Sequence, residues 1–147
     1  MSYRERLVAP VWWWVVGVGV AAGAAAEIHG GATGSRAVVP YVVLPLLAVL
    51  GLVALSRQQV TVEGSVLTVP KARAPVSAFG APQVLDRAAL REWRGPRAHR
   101  DAWVCVRPWL RRAVLLAVTD PADDTPYWLV GSRHPEQLAA AVRQAQV

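Results

Sequence analysis

Two long apolar segments without any charged residue occupy the first third of the chain. Residues 7–26 form a run of twenty such positions, and residues 37–55 form a second run of nineteen. A helix of about twenty residues spans the roughly 30 Å hydrocarbon core of a bilayer. The residues between the runs, 27–36, are rich in glycine and favour a short turn. The pattern therefore predicts a transmembrane helical hairpin within residues 1–56.

The first apolar run also has features of a cleaved signal peptide. Arg4 and Arg6 precede it, and the alanines at 24–26 resemble a cleavage site. A signal core, however, is only about 7–15 residues long, and this run carries an aromatic cluster typical of membrane interfaces. The cluster consists of Trp12, Trp13 and Trp14. We therefore predict an uncleaved span with these tryptophans at the membrane interface.

The distribution of basic residues predicts the orientation of the helical hairpin. Arg4 and Arg6 flank the first span, and Arg57 follows the second. The single arginine of the intervening loop, Arg36, is balanced by Glu27. Membrane proteins keep an excess of positive charge on the cytoplasmic side. We expect a multi-pass protein of the cell membrane with both termini in the cytoplasm.

Small residues line one side of the first span. Gly17, Gly19 and Gly23 include one G-x-x-x-G pattern, and Ala48 and Gly51 of the second span are suited to lie against them. Small residues let membrane helices approach closely. Packing within the helical hairpin is the simpler interpretation, and a homodimer through the same face is the alternative.

Residues 57–147 show the patterns of a small β-rich domain, long enough for one core. Alternation of apolar and polar residues over 58–69, with Gly64-Ser65 as the turn, predicts a β-hairpin with a type II′ turn. Gly80 and Pro82 interrupt the next strand. The further strands are predicted at residues 75–85, 102–107, 113–119 and 127–131.

Two helices complete the predicted tail. Asp86 is a suitable N-cap for a helix over residues 86–94, which Gly95-Pro96 would end. Pro135 suits the first turn of a terminal helix. That helix has an apolar stripe formed by Leu138, Ala141, Val142 and Ala145.

The order of these elements predicts the fold class. We expect a membrane α-helical hairpin, residues 1–56, followed by a small α+β cytosolic domain, residues 57–147. The domain would be a curved antiparallel sheet closed by a C-terminal helix, an arrangement similar to that of pleckstrin-homology domains.

Several short motifs together resemble an actinobacterial family of uncharacterised two-span membrane proteins that carry a domain of unknown function. They are Tyr3-Arg4-Glu5-Arg6-Leu7, Arg107-Pro108-Trp109, Val118-Thr119-Asp120-Pro121, Thr125-Pro126-Tyr127-Trp128-Leu129-Val130 and Arg133-His134-Pro135-Glu136. The resemblance covers nearly the whole chain. It implies a membrane location and a cytosolic tail, and it implies no activity.

Composition and missing motifs exclude several function classes. The chain has 147 residues, 54% of them hydrophobic, and a single cysteine, Cys105, so a disulfide scaffold is excluded. The net charge is +6, but fifteen of the sixteen basic residues are arginine, as codon bias in a GC-rich genome produces, so we expect no nucleic-acid partner. Nucleotide-binding loops, zinc-ligand patterns and catalytic constellations are missing from the sequence. We therefore predict a protein that is not an enzyme and has no cofactor and no metal.

Two polar features that could bear chemistry have a structural interpretation. Cys105 lies in a predicted strand and is expected to be a buried, inert thiol. Asp120, Asp123 and Asp124 lie in one loop without the spacing of a calcium-binding loop, so a solvated turn is expected.

Arginine clusters are the remaining candidates for a contact site. Arg87, Arg91 and Arg94 have the spacing of one helix face, and a second group surrounds Trp109. The second group consists of Arg107, Arg111 and Arg112. A cytosolic domain tethered to a membrane faces an anionic leaflet that attracts arginine. An arginine-rich solvated surface without function is the alternative.

These observations support one leading functional hypothesis. The protein would be a membrane-anchored, non-enzymatic scaffold or regulator whose tail binds anionic lipid headgroups or a membrane protein partner. The alternatives are an accessory subunit of a larger membrane complex and a small enzyme acting on a lipid-linked substrate.

Overall fold

The chain consists of a helical unit and a β-rich unit. A computed structural model describes residues 3–29 and 33–147. The helical unit is Val8–Gln58, and the β-rich unit, hereafter the module, combines residues 3–7 with Gln59–Val147. The sequence analysis placed residues 1–56 in the helical hairpin, whereas in the structure residues 3–7 lie in the module. Residues 3–7 belong to the module because they form a strand of its first sheet.

Two long helices form the helical unit. Helix α1 is Val11–His29 and helix α2 is Ser35–Ser56, and both are long and apolar enough to cross a membrane. The first helix begins later than predicted because strand residues and Pro10 precede it, and the Trp13 N–H donates to the Pro10 carbonyl at 2.9 Å. The Gly30-Gly31 part of the predicted turn lies outside the described residues.

The small residues of α1 divide into two groups. A Cβ atom added to Gly17 would lie 3.1 Å from Leu52 Cδ1, so this glycine permits close packing of α1 on α2. A Cβ atom added to Gly19 or Gly23 would meet no atom within 4 Å in the described chain. The predicted packing within the helical hairpin thus holds at Gly17, whereas the G-x-x-x-G pair faces open space.

The first sheet of the module is an antiparallel meander in the order β1-β2-β3-β4. Its strands are β1 Tyr3–Arg6, β2 Gln59–Glu63, β3 Val66–Val69 and β4 Ala72–Pro75. The predicted β-hairpin is confirmed as β2 and β3, and Gly64 has the positive φ, 59°, that the first central residue of a type II′ turn requires. Strands β1 and β4 were not predicted.

The second sheet has the order β5-β7-β8-β6. Its strands are β5 Gln83–Leu85, β6 Trp103–Cys105, β7 Ala113–Ala117 and β8 Tyr127–Gly131. Strand β6 lies parallel to β8, because the chain reverses direction twice between them. Strand β7 pairs antiparallel with β8 on the other side of that strand. The predicted curved antiparallel sheet holds only in part, because the described residues form two sheets and the pair β6–β8 is parallel. The interrupted strand predicted at 75–85 is a 3₁₀ turn, Val76–Ala78, followed by β5.

The two remaining helices agree with the sequence patterns. Helix α3 is Arg87–Arg94, and the Asp86 carboxylate caps it by accepting the Ala89 N–H at 2.8 Å. Helix α4 is Pro135–Gln146, with proline in its first turn. Leu138 and Val142 of the predicted stripe are fully buried.

The core of the module consists of two clusters of buried apolar side chains. The larger cluster joins apolar side chains of both sheets with those of α4, among them Leu67, Leu116 and Leu138. A smaller cluster on the second sheet contains Leu115 and Leu129 and is covered by Leu90 of α3. Helix α4 contacts β2, β5, β7 and the 3₁₀ turn, and so closes the module as predicted.

Gly131 provides a test of this packing. A Cβ atom there would lie 2.8 Å from Leu110 Cδ1 and 3.1 Å from Val106 Cα. Gly131→Ala should therefore destabilise the module by about 1–3 kcal/mol, the usual cost of overpacking a core. The measurement is the denaturant midpoint of the full chain in mild detergent, followed by near-ultraviolet circular dichroism.

Gly80→Ala is the matched control for this substitution. Its Cβ atom would lie 3.5 Å from Thr119 Cγ2, an ordinary contact. We expect a midpoint close to that of the unchanged chain, and equal midpoints for both variants would contradict the close approach at Gly131.

Candidate functional site

The most basic surface of the module is built by α3 and the loop that follows it. Residues 87–100 contain five arginines and one acidic residue, Glu92. The net charge of this segment is therefore +4 when histidine is neutral. This segment is called the basic segment below. Its helix packs on the face of the second sheet that is turned away from the first.

Helix α3 separates an apolar face from a basic one. Leu90 is buried and Trp93 is half-buried against the sheet, so the remaining faces are left to solvent. Arg87, Arg91 and Arg94, predicted to share one face, are all exposed. In the described part of the chain, none of the three has an acidic partner within salt-bridge distance.

Tyr127 of β8 fixes the loop after α3. Its hydroxyl accepts the His99 backbone N–H at 3.0 Å and donates to the Arg97 carbonyl at 3.4 Å. The tyrosine ring also meets Trp93 edge to face, with ring centroids 5.0 Å apart. Because Tyr127 is buried in the sheet, the loop and the helix are held on one rigid support.

Arg97 lies over this aromatic pair. Its guanidinium carbon is 5.7 Å from the centre of the Trp93 ring, within the range of a cation–π contact. Its Nε is 3.8 Å from a Glu92 carboxylate oxygen, and both side chains are more than half exposed. Exposed pairs of this kind contribute little to stability, so the charge of Arg97 remains available at the surface.

The second arginine group is divided by its packing. Trp109 is half-buried against the larger core cluster, and Arg112 pairs with Glu136 at the start of α4. Arg107 is half-buried, and its Nε is buried without a hydrogen-bond partner within the described structure. Arg111 and Arg112 are exposed, and of these two only Arg111 makes no contact with an acid among the described residues. The group is therefore largely part of the framework.

Glu136 illustrates that structural role. Its carboxylate lies at the N-terminus of α4, where its own backbone N–H and the Arg112 guanidinium hold its pKa below the usual range. Negative charge is favourable at a helix N-terminus. The ion pair thus connects the segment before β7 to α4.

A family model described as "Protein of unknown function (DUF3093)" matches residues 2–142. The chain belongs to the DUF3093 family. The predicted resemblance to an uncharacterised family is thereby confirmed for nearly the whole chain, from the Tyr3–Leu7 motif to the Arg133–Glu136 motif. No curated protein and no solved structure matches the chain.

Sequence reasoning missed a buried polar cluster in this DUF3093 protein. Glu5 is only 8% exposed, and its carboxylate accepts hydrogen bonds from the hydroxyls of Tyr3 and Ser132 and from the Arg133 backbone N–H. Burial raises the pKa of the Tyr3 hydroxyl. The sequence signal for this strand is the alternation of Tyr3, Glu5 and Leu7 with two arginines.

The other predicted polar features have ordinary surroundings. Burial raises the pKa of the half-buried Cys105 thiol, and the charge of Arg107 opposes this shift only in part. Asp120 and Asp123 accept backbone N–H groups within their own loop, at 2.9 Å each, and the bond from Thr125 lowers the pKa of Asp123. Among the described residues, no group of three or more acidic, histidine or cysteine side chains is placed to hold a metal.

The tryptophans predicted at a membrane interface lie in the first turn of α1. Trp12 is 57% exposed, and its ring centroid is 5.3 Å from that of Trp13. Trp13 and Trp14 are half-buried. Their position at one end of an apolar helix is the position an aromatic belt requires.

The support beneath the basic segment can be tested by removing one hydroxyl. Tyr127→Phe keeps the ring but leaves the His99 N–H without its acceptor, which costs about 1–3 kcal/mol locally. Amide hydrogen exchange over residues 95–101 should therefore accelerate about tenfold or more. Arg100→Gln is the control, because it changes an exposed side chain of the same loop and leaves both hydrogen bonds of Tyr127 in place, so exchange should change little. Equal exchange in Tyr127→Phe and the unchanged chain would show that the loop does not depend on this hydroxyl.

Proposed function

We propose that this DUF3093 protein is a two-pass protein of the cell membrane that displays a non-enzymatic module on the cytoplasmic side. In this proposal the module contacts anionic lipid headgroups through the basic segment. It would act there as a scaffold or regulator. The observation that carries the proposal is the exposed arginine face of α3 on its rigid aromatic support.

Membrane insertion is supported by the surface of the helical unit. Val15, Val20 and Leu47 are each more than half exposed, as are many other apolar side chains of α1 and α2. Such a surface is unfavourable in water and favourable in lipid. The excess of arginine outside the loop between the helices supports the cytoplasmic orientation.

The electrostatics of the basic segment support lipid as its partner. Each arginine near an anionic leaflet contributes about 1 kcal/mol of attraction. Three exposed arginines lie on α3, and two more lie in the following loop, which Tyr127 holds by two hydrogen bonds. Their number is sufficient for a contact that depends on salt and lipid composition, while the spans supply the permanent attachment.

The likeness to pleckstrin-homology domains remains a prediction, and the proposal does not depend on it. The terminal helix α4 is consistent with that likeness. The parallel pair β6–β8 departs from the antiparallel sheet that was expected.

Orientation is tested by reporter fusions to the full chain. Alkaline phosphatase fused after Val147 should be inactive, because it would remain in the cytoplasm, and phosphatase inserted after Gly34 should be active. Fluorescent-protein fusions at the same two positions should give the reverse result. An active phosphatase after Val147 would contradict the cytoplasmic placement of the module.

Lipid contact is tested with the full chain in nanodiscs. A fluorophore on Ala88→Cys, in a Cys105→Ser background, reports on α3, and a lipid with a nitroxide headgroup quenches it. Quenching should be stronger in discs with anionic lipid than in neutral discs. It should weaken between about 10 mM and 150 mM salt, as the Debye length falls from about 30 Å to about 8 Å.

Two charge-matched pairs of substitutions locate the contact. Arg91→Gln with Arg94→Gln should remove most of the anionic-lipid-dependent quenching, whereas Lys71→Gln with Arg73→Gln should leave it nearly unchanged. Equal quenching in neutral and anionic discs would contradict lipid contact. That result would favour a protein partner, as expected for an accessory subunit of a larger complex.

A further inference from the structure

Strand β1 precedes the first long helix but completes a sheet whose other strands follow the second. It pairs antiparallel with β2 in a register that sets Arg6 opposite Gln59. In an ordinary β-hairpin two such residues are joined by a short turn. Here the whole helical unit, Val8–Gln58, is the connection between them. The first sheet is therefore a β-meander into which two apolar helices have been inserted.

The side chains of β1 are built into the core of the module. Leu7, directly after the strand, is fully buried and belongs to the cluster that contains Leu67, Leu116 and Leu138. Removing a leucine from such a core leaves a cavity and destabilises the fold. The segment that ends at Leu7 therefore supplies part of the core of the module.

Glu5 ties the same strand to the opposite end of the chain. Its Oε2 accepts the Ser132 hydroxyl at 2.5 Å and the Tyr3 hydroxyl at 2.7 Å, and its Oε1 accepts the Arg133 N–H at 2.8 Å. The Ser132 Oγ in turn accepts the His134 N–H at 3.0 Å. The connection between β8 and α4 is therefore held by a carboxylate that lies 127 positions earlier in sequence.

We infer that the β1 segment, residues 3–7, is an obligatory part of the module, which closes only when the helical unit has returned the chain to the side on which the N-terminus lies. The pairing of β1 with β2 thereby couples folding of the module to correct insertion of both spans. It also requires an uncleaved first span, because processing near residues 24–26 would separate β1 from the rest of the chain. The inference rests on the proposed insertion of both spans but not on what the basic segment binds, so the lipid contact and the role of β1 can each fail without the other.

Strand pairing in the membrane is tested by disulfide formation in the full chain. Arg4 lies opposite Thr61 in the register, so Arg4→Cys with Thr61→Cys should cross-link under mild oxidation in a Cys105→Ser background. Thr68 lies one strand farther, opposite Thr61. Arg4→Cys with Thr68→Cys should not cross-link, because two strand spacings of about 4.8 Å exceed the reach of a disulfide. Absence of the Arg4–Thr61 cross-link, or equal cross-linking of both pairs, would overturn the pairing.

The requirement for β1 is tested by proteolysis of the same full chain in membranes. Glu5→Ala and Leu7→Ala change buried residues, and Arg6→Gln changes an exposed residue between them. The buried variants should lose the module to thermolysin at least about tenfold faster than the unchanged chain, since proteolysis follows the population of the opened state. Arg6→Gln should stay within about twofold. All changes lie outside α1 and α2, and resistance to carbonate extraction checks that insertion is intact.

The proteolysis results decide whether the module needs β1 in order to fold. If the buried variants are as resistant as Arg6→Gln, residues 59–147 form the folded module without help from β1, and the inference is wrong. If Glu5→Gln regains part of the resistance lost in Glu5→Ala, the hydrogen bonds at this site, and not only its packing, hold the strand.

Discussion

Backbone pairing between residues 3–6 and 59–62 is the constraint on which the rest of this structure depends. It brings together the segment before the first long helix and the segment after the second. Without it, the first sheet would end at β2, and the core would lack Leu7. The helical unit is consequently an insertion within a β-meander rather than a leader attached to a finished domain.

A buried carboxylate gives this pairing its specificity. Burying a polar carboxyl group is costly unless it is hydrogen-bonded, and the Glu5 oxygens accept three hydrogen bonds. Because side chains alternate across a strand, a slip of one residue would move Glu5 out of reach of Ser132 and move Leu7 out of the core. The polar cluster and the apolar core therefore favour the same register. They also connect the first strand to the start of α4, which closes the module.

The basic surface follows from how the second sheet is covered. Helix α3 is short, and it is held by one buried leucine, one half-buried tryptophan and its Asp86 cap. Its other faces are free to carry arginine, and Tyr127 fixes the next part of the chain beside them. In the second arginine group, by contrast, Trp109 packs on the core and Arg112 pairs with Glu136. The same residue type thus serves at a surface in one place and within the framework in another.

Local sequence patterns determined the elements whose signals lie within a few residues. The two apolar helices, the β2–β3 hairpin with its glycine turn, the Asp86 cap and the proline-initiated final helix all follow from hydrophobic period, turn chemistry and capping. The three arginines of α3 were likewise placed on one face by their spacing alone. What only the tertiary structure decided is which distant segments meet. Strand β1, the parallel pair β6–β8 and the contact of Glu5 with Ser132 join residues that no local pattern relates. Long-range pairing depends on how well complete surfaces fit. For that reason Arg4 and Arg6 indicate only a charged flank in the sequence, whereas residues 3–6 form a strand of the first sheet in the structure.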